Sequence, residues 1–259
     1  MHQTEKQFVL PVTDVKASAD TTAETTSQAL YGESVKVLET NKHWSFIRNQ
    51  RDDYEGYVDS RSTGPKSHIS THWVATRATL VFAEPDIKSR LLLRLGFGAE
   101  VSLSNEPVVA KHFRQTVDGS FAWHAHYLPT NTVMTDDFVD IARAHFIHAP
   151  YLWGGRTSDG LDCSALVQLA CFAAGTMLPR DSGEQEKHIN NSIGQHERKR
   201  NDLVYWPGHV ALLVDKHTVL HATAHHLCCV IEPLAAIIQR AGEVSSIQRL
   251  IAGTEPSAS

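Results

Sequence analysis

The chain is poor in cysteine: four in 259 residues, with no Cys-x-x-Cys pair. That is too few for a disulfide scaffold, so reduced thiols are the simpler reading. It also lacks any apolar run approaching the ~18 residues of a membrane span, and no membrane partner is expected. There is no excess of cationic charge. Lys and Arg number 24 against 29 Asp and Glu, and they are scattered singly. No basic stripe exists to neutralise phosphates, which argues against a nucleic-acid partner. Near the start, Phe8-Val9-Leu10-Pro11-Val12 falls short of the ~7–15-residue apolar stretch of a secretory signal, so a cytoplasmic location is expected. The histidines and cysteines at 221, 225, 226, 228 and 229 lack the spacing of known zinc folds, and strand neighbours point to opposite faces. No metal and no other cofactor is expected.

With 42% hydrophobic and 20% charged residues, the composition is that of a globular protein, and the length exceeds one ordinary domain. Short alternating runs occupy Ser34-Val35-Lys36-Val37-Leu38 and Trp44-Ser45-Phe46-Ile47. Turn-like Asn49 to Asp53 follows, before Gly56-Tyr57-Val58. These read as strands of a small barrel. An echo follows: Gly32-x-x-Val35-x-Val37 matches Gly98-x-x-Val101-x-Leu103, and Ala122-Trp123 is a looser counterpart of Gly56-Tyr57-Val58. Two related β-modules are expected. Gly64-Pro65 and Leu128-Pro129-Thr130-Asn131 mark joints, giving segments 1–65, 66–132 and 133–259.

The third segment has a different texture. Thr135 can cap a helix whose first turn holds Asp136 and Asp137 and whose apolar positions are Phe138, Ile141, Ala142 and Phe146, with Pro150 closing it. Cys163 to Ala174 is apolar almost all round, with Gly175 where a helix C-cap belongs, and reads as a buried central helix. Val204–Trp206, His209–Val214, Thr218–Ala222 and Cys228–Ile231 read as antiparallel strands. This segment is α+β.

A thiol at the first turn of that helix gains from the positive helix end, while burial disfavours its anion. A neighbouring imidazole settles the contest toward thiolate, and His209 opens the next strand group. Pairing Val214 with Thr218 places Ala211 opposite His221 and puts His209 and His221 on one face. One ring then takes the thiol proton and the other holds its tautomer. Cys171, with apolar neighbours only, is structural. Gly154-Gly155 turns the chain beneath the nucleophile and is too short for a phosphate loop.

These residues also carry a likeness. Tyr151-Leu152-Trp153-Gly154-Gly155-Arg156-Thr157, Asp162-Cys163-Ser164, Pro179-Arg180-Asp181-Ser182, and Asp202-Leu203-Val204-Tyr205-Trp206 leading to His209-Val210-Ala211 resemble the NlpC/P60 cysteine peptidases, over roughly Asp136 to Pro233. Residues 30–128 resemble two bacterial SH3 modules. The layout is similar to γ-D-glutamyl-L-diamino acid endopeptidases. The resemblance implies a papain-like α+β domain preceded by two small SH3-like β-barrels. Cys163 would be the nucleophile, His209 the base and His221 its orienter. Tyr151 and the Cys163 N–H would be oxyanion donors. Tyr151, Asp162, Ser164 and Ser182 would form a pocket for a free L-Ala amine, where the acid at Asp162 suits an ammonium; an ordinary N-cap is the other reading of Asp162. Tyr57, in the first module, would bound the substrate. The expected substrates are short peptidoglycan-derived peptides such as L-Ala-γ-D-Glu-diaminopimelate, processed in cell-wall peptide recycling. The chain departs from the family pattern at Ala165, Ser158 and Asn201, where Gly, Pro and Gly are usual. A non-catalytic wall-binding SH3 protein, and an amidase or acyltransferase on the same fold, are the competing readings. The residues do not disclose an oligomeric state.

Overall fold

A computed structural model describes residues 5–250; the outermost parts of the first and third segments, 1–4 and 251–259, lie outside the described residues. The chain divides between Thr132 and Val133 into two compact units.

In the first unit, β1 (Lys6–Phe8), β2 (Val12–Lys16), β3 (Thr25–Leu30), β4 (Ser34–Asn41), β5 (Trp44–Asn49), β6 (Glu55–Asp59) and β7 (Thr63–Pro65) form one sheet in the order β3-β2-β6-β5-β4-β1-β7. The alternation read from the sequence sends Ile47 and Val58 inward to meet Phe8, Val15, Ala29 and Val35. Register shifts at Val15/Lys16 and Val37/Glu39 mark bulges, which bend strands around such a core. The expected closed barrel is not formed among the described residues. β7 is three residues long and pairs only with β1, and β3 ends the sheet on the other side, so neither edge finds the other.

The second half of this unit holds β8 (His72–Val74), β9 (Ala78–Phe82), β10 (Leu91–Gly96), β11 (Glu100–Val101), β12 (Phe113–Gln115), β13 (Phe121–Trp123) and β14 (Tyr127–Pro129). Their orders, β10-β9-β13-β12 and β11-β8-β14, reproduce the first sheet strand for strand. The difference is at β11, only two residues long, where the pairing with β12 shrinks to one bridge between Leu103 and Thr116. The Gly-x-x-Val echo is one turn used twice. Gly32 and Gly98 both have φ +82°, and their N–H groups donate to Phe8 O and Val74 O, each at 2.9 Å.

The halves are clamped by a buried cation. Arg51 Nη1 lies 2.7 Å from Glu33 Oε1, and its Nη2 donates to Glu100 Oε1 at 2.6 Å and to Gly98 O at 2.8 Å. Beside it, the Glu100 N–H donates to Tyr31 O at 2.8 Å. A Cβ on Gly32 would stand 2.1 Å from Glu100 O. Gly32→Ala is therefore expected to destabilise the unit by about 3 kcal/mol, combining left-handed backbone strain with this collision. Gly119→Ala, at φ +90° with open space around its Cβ, should cost only the backbone part, about 1–2 kcal/mol. Urea denaturation of the two variants measures the difference; equal losses would remove the collision from the account.

The second unit contains α1 (Phe138–Phe146), the short hairpin β15 (Arg156–Thr157) and β16 (Gly160–Leu161), α2 (Cys163–Ala173), α3 (Ser182–Ile189), β17 (Leu203–Trp206), β18 (His209–Leu213), β19 (Thr218–Thr223), β20 (Cys228–Pro233), α4 (Leu234–Ala241) and β21 (Ser246–Gln248). The last five strands form an antiparallel sheet, β20-β19-β18-β17-β21. Asp137, not Thr135, caps α1, accepting from the Asp140 N–H at 3.0 Å. Thr135 sits two residues too early and accepts instead from the Asp137 N–H. α1 ends at Phe146, before Pro150 is reached.

α2 is buried throughout except Phe172. Gly175 (φ +81°) ends it as expected, with its N–H on Phe172 O at 2.9 Å and the Thr176 N–H on Cys171 O at 2.8 Å, the paired bonds of a Schellman motif. α2 packs on α1, β18 and β19. α4 lays Leu234 and Ile237 over Val204, Trp206, Ala211, Leu213 and Val219. Strand alternation places His209 and His221 on that same face.

Candidate active site

Asp162 is the N-cap of α2 and accepts from the Ala165 N–H at 2.9 Å, which makes Cys163 the first helical residue. Gly154 (φ +73°) donates its N–H to Asp162 Oδ2 at 3.0 Å. A Cβ on Gly155 would meet Gly160 O at 2.4 Å. The Gly-Gly pair thus lets the β15–β16 hairpin fold tightly beneath the cap, as its sequence suggested.

His209 follows a two-residue turn, Pro207-Gly208, with Gly208 at φ +74°. Pro at the first and Gly at the second central position is the type II signature. Leu212 faces Leu220 and Leu213 faces Val219, and the Val214 N–H donates to Thr218 O at 2.9 Å. Continued inward, this register sets Ala211 against His221, the pairing read from the sequence. His209 Nε2 and His221 Nδ1 are 2.8 Å apart. The Val210 N–H, next along from His209, points at the Cys163 thiol and favours its anion.

Sequence reasoning missed the next two members of this chain. His221 Nε2 lies 2.7 Å from Glu232 Oε1, and Arg240 grips the same carboxylate through Nη2 at 2.6 Å and Nη1 at 3.2 Å. The hairpin explains the contact. His221 pairs with Val230, so Glu232, two residues on, occupies the same face diagonally. Counting that alternation from the His221 strand could have found it.

Burial dominates the electrostatics. It pushes the Cys163 thiol up to about 11, with the Asp162 charge adding to it, against the opposing Val210 N–H, Arg180 and Ser164 N–H. It lowers His209 to about 4, helped by His221 and Arg240 and opposed by Glu232. Burial thus opposes the expected thiolate: Cys163 is only 6% exposed, and both shifts favour neutral thiol beside neutral imidazole. Burial likewise raises Tyr151 to about 12, and the nearby Cys163 and Asp162 charges contribute. Tyr151, Trp206, Gly208, His209, Thr223 and Arg240 line an open cleft of about 350 Å³.

Asp162, expected in the amine pocket, is already fully engaged within the protein. Its Oδ1 accepts from Ala165 N at 2.9 Å, Arg180 Nη1 at 3.0 Å and Ser164 Oγ at 3.1 Å, and its Oδ2 from Arg180 Nη2 at 2.6 Å and Gly154 N at 3.0 Å. Five donors exhaust a carboxylate's roughly four acceptor sites, leaving none for an ammonium. Arg180, 2% exposed, also donates to Ser164 Oγ at 2.8 Å. Ser182 is buried at the first position of α3. Tyr57 lies in β6 of the first unit, its ring 4.9 Å from Phe46. Asn201 adopts φ +72°, where Asn is tolerated, and its Oδ1 accepts from the Val139 N–H of α1 at 3.1 Å. Ala165 is fully buried in α2, and Cys171 lies deep in the same helix.

Residues 148–237 match the NlpC/P60 family, and residues 16–62 match the bacterial dipeptidyl-peptidase Sh3 domain. The chain is 28% identical over 233 residues to dipeptidyl-peptidase 6 of Lysinibacillus sphaericus, covering 80% of this chain and 83% of that protein. It is 27% identical to the gamma-D-glutamyl-L-lysine dipeptidyl-peptidase of Bacillus subtilis (strain 168), over 76% of this chain and 71% of that one. The crystal structure of an NlpC/P60 family protein from Bacillus cereus ATCC 10987 shares the fold, with a TM-score of 0.80 at 16% identity, over 95% of this chain and 99% of the other. The chain thus carries a bacterial dipeptidyl-peptidase Sh3 domain ahead of an NlpC/P60 domain, and with its relatives' dipeptidyl-peptidase names this makes it a cysteine peptidase.

Proposed function

We propose that this peptidase cleaves the γ-D-glutamyl bond to the diamino acid in short murein peptides with a free N-terminal L-Ala, in cytoplasmic recycling of cell-wall peptides. The observation that carries the reading is the Cys163 thiol at the head of α2, facing the backbone beside His209, with His209 paired to His221. The relatives' names, gamma-D-glutamyl-L-lysine dipeptidyl-peptidase among them, favour this bond over other acyl groups. The repeated strand order of the first unit favours two SH3-like modules.

In this mechanism the Cys163 sulfur attacks the γ-glutamyl carbonyl as its proton passes to His209. His221 holds the His209 ring. Tyr151 and the Cys163 N–H stabilise the oxyanion, and His209 returns the proton to the leaving amine. Water, activated by the same imidazole, then hydrolyses the thioester. A neutral resting pair means that sulfur loses its proton during attack. With Asp162 saturated by Arg180, recognition of the L-Ala ammonium falls to the acceptor oxygens of Tyr151 and Ser182, and Asp162 with Ser164 forms the scaffold beneath them.

The test compares L-Ala-γ-D-Glu-L-Lys with its N-acetylated form. The free peptide is expected to be released as L-Ala-D-Glu and lysine, and acetylation to lower kcat/KM at least about 100-fold, since a site built to pair a polar group rejects an analogue lacking it. Equal turnover would remove amine recognition, and no turnover of either would remove this substrate class.

A further inference from the structure

We propose that Glu232, gripped by Arg240, is a positioning residue that fixes the protons of both active-site histidines so that His209 presents an unprotonated Nδ1 to the thiol. The inference rests on the peptidase reading for its kinetic consequence, but not for its geometry.

A carboxylate only accepts. With Glu232 Oε1 2.7 Å from His221 Nε2, that nitrogen carries the hydrogen. A neutral imidazole has one N–H, so His221 Nδ1 is an acceptor. It lies 2.8 Å from His209 Nε2, which must then donate, leaving the lone pair on His209 Nδ1. The arrangement propagates from the far end of the chain, and each step has a single solution.

Without the carboxylate, His221 could hold its proton on Nδ1. His209 Nε2 would then become the acceptor and its N–H would move to Nδ1. That ring would present a hydrogen to sulfur where a base is needed. Glu232 therefore excludes the inactive pattern from a distance, and its charge also faces the imidazolium that forms during attack.

Arg240 keeps the carboxylate in register. Its two hydrogen bonds come from α4, His221 approaches from β19, and His226 Nε2 stands 3.5 Å from Oε2 at the β19–β20 turn. Burial alone would raise the Glu232 carboxyl, but the Arg240 and His221 bonds outweigh it and hold it at about 2. Glu232 stays ionised throughout the neutral range.

Long-range 1H–15N spectra of the histidine rings of the free wild-type protein at neutral pH read this directly. Both His209 and His221 are expected as Nε2–H tautomers, and an Nδ1–H signal from His209 would overturn the inference. Glu232→Leu should mix the His209 tautomers and lower kcat roughly 10–100-fold, with KM unchanged within about twofold. Arg240→Met leaves the acceptor in place; it should retain both Nε2–H tautomers and lose less than about tenfold. Wild-type ring signals and kcat in Glu232→Leu would also overturn it. A wild-type protein that showed the expected tautomers but cleaved no murein peptide would sink the substrate reading alone.

Discussion

Cys163→Ala and His209→Ala are each expected to lower kcat on the γ-glutamyl tripeptide by roughly 10⁵-fold or more, and the double variant to be no worse than either. The two groups act on one proton, so removing the second has nothing further to remove. Thermal unfolding should remain close to wild type for Cys163→Ala, because the side chain is small and the helix cap belongs to Asp162. The protonation state gives this prediction a pH signature. The base form of His209 is the neutral ring, and its value of about 4 means that kcat/KM rises as pH increases through about 4 and then levels. A thiol near 11 gives no further change until strongly alkaline solution, so the plateau should extend beyond about pH 9. A resting ion pair would behave differently, losing activity as its imidazolium deprotonates at mildly alkaline pH. A bell-shaped profile with its upper limb near about pH 8 would show the resting thiolate after all.

Arg180→Met should be the most destabilising single change in the second unit, about 3–5 kcal/mol, because it strands a carboxylate already removed from water. Asp162 and Arg180 are 6% and 2% exposed, and their closest bond is 2.6 Å. Activity should fall too. Arg180 is one of the groups that lower the Cys163 thiol, so its loss leaves the Asp162 charge unopposed and the sulfur harder to ionise. Asp162→Asn in the same background removes the stranded charge and should recover part of the stability. Denaturant midpoints of the wild type and the two variants decide the matter: a loss under about 1 kcal/mol in Arg180→Met would mean that the pair contributes no more than a surface bridge.

Much of this site could be read from local pattern. The apolar run ending at Gly175, the strand opened by His209 and the Val214–Thr218 hairpin depend on neighbours in sequence, and a period-two count carries His209 and His221 to one face. What escaped is long-range. Nothing near Asp162 in sequence says that Arg180 folds back onto it, and so its saturation was missed. The strength of burial against the thiolate was hidden because helix ends are visible in a sequence whereas depth of burial is not. Glu232 lay within reach of the same counting, but a glutamate late in a polar-edged strand reads as a solvated face until Arg240 is seen above it. In the first unit the runs and the echo were legible. Whether β3 and β7 would find each other depends on edge lengths that no alternation encodes.

The duplicated turn in the first unit is not duplicated in chemistry. The position matching Glu33 in the second half is Ala99, and the turn matching Asn49–Tyr54 is Thr116–Ser120, which holds no arginine, so the guanidinium clamp joins the first half to the second and has no equivalent with which the second could grip a successor. A tandem array that carries its connector on one copy and omits it from the next terminates itself. Grafting a glutamate onto position 99 and an arginine into the Thr116–Ser120 turn would be the minimum edit for lengthening it.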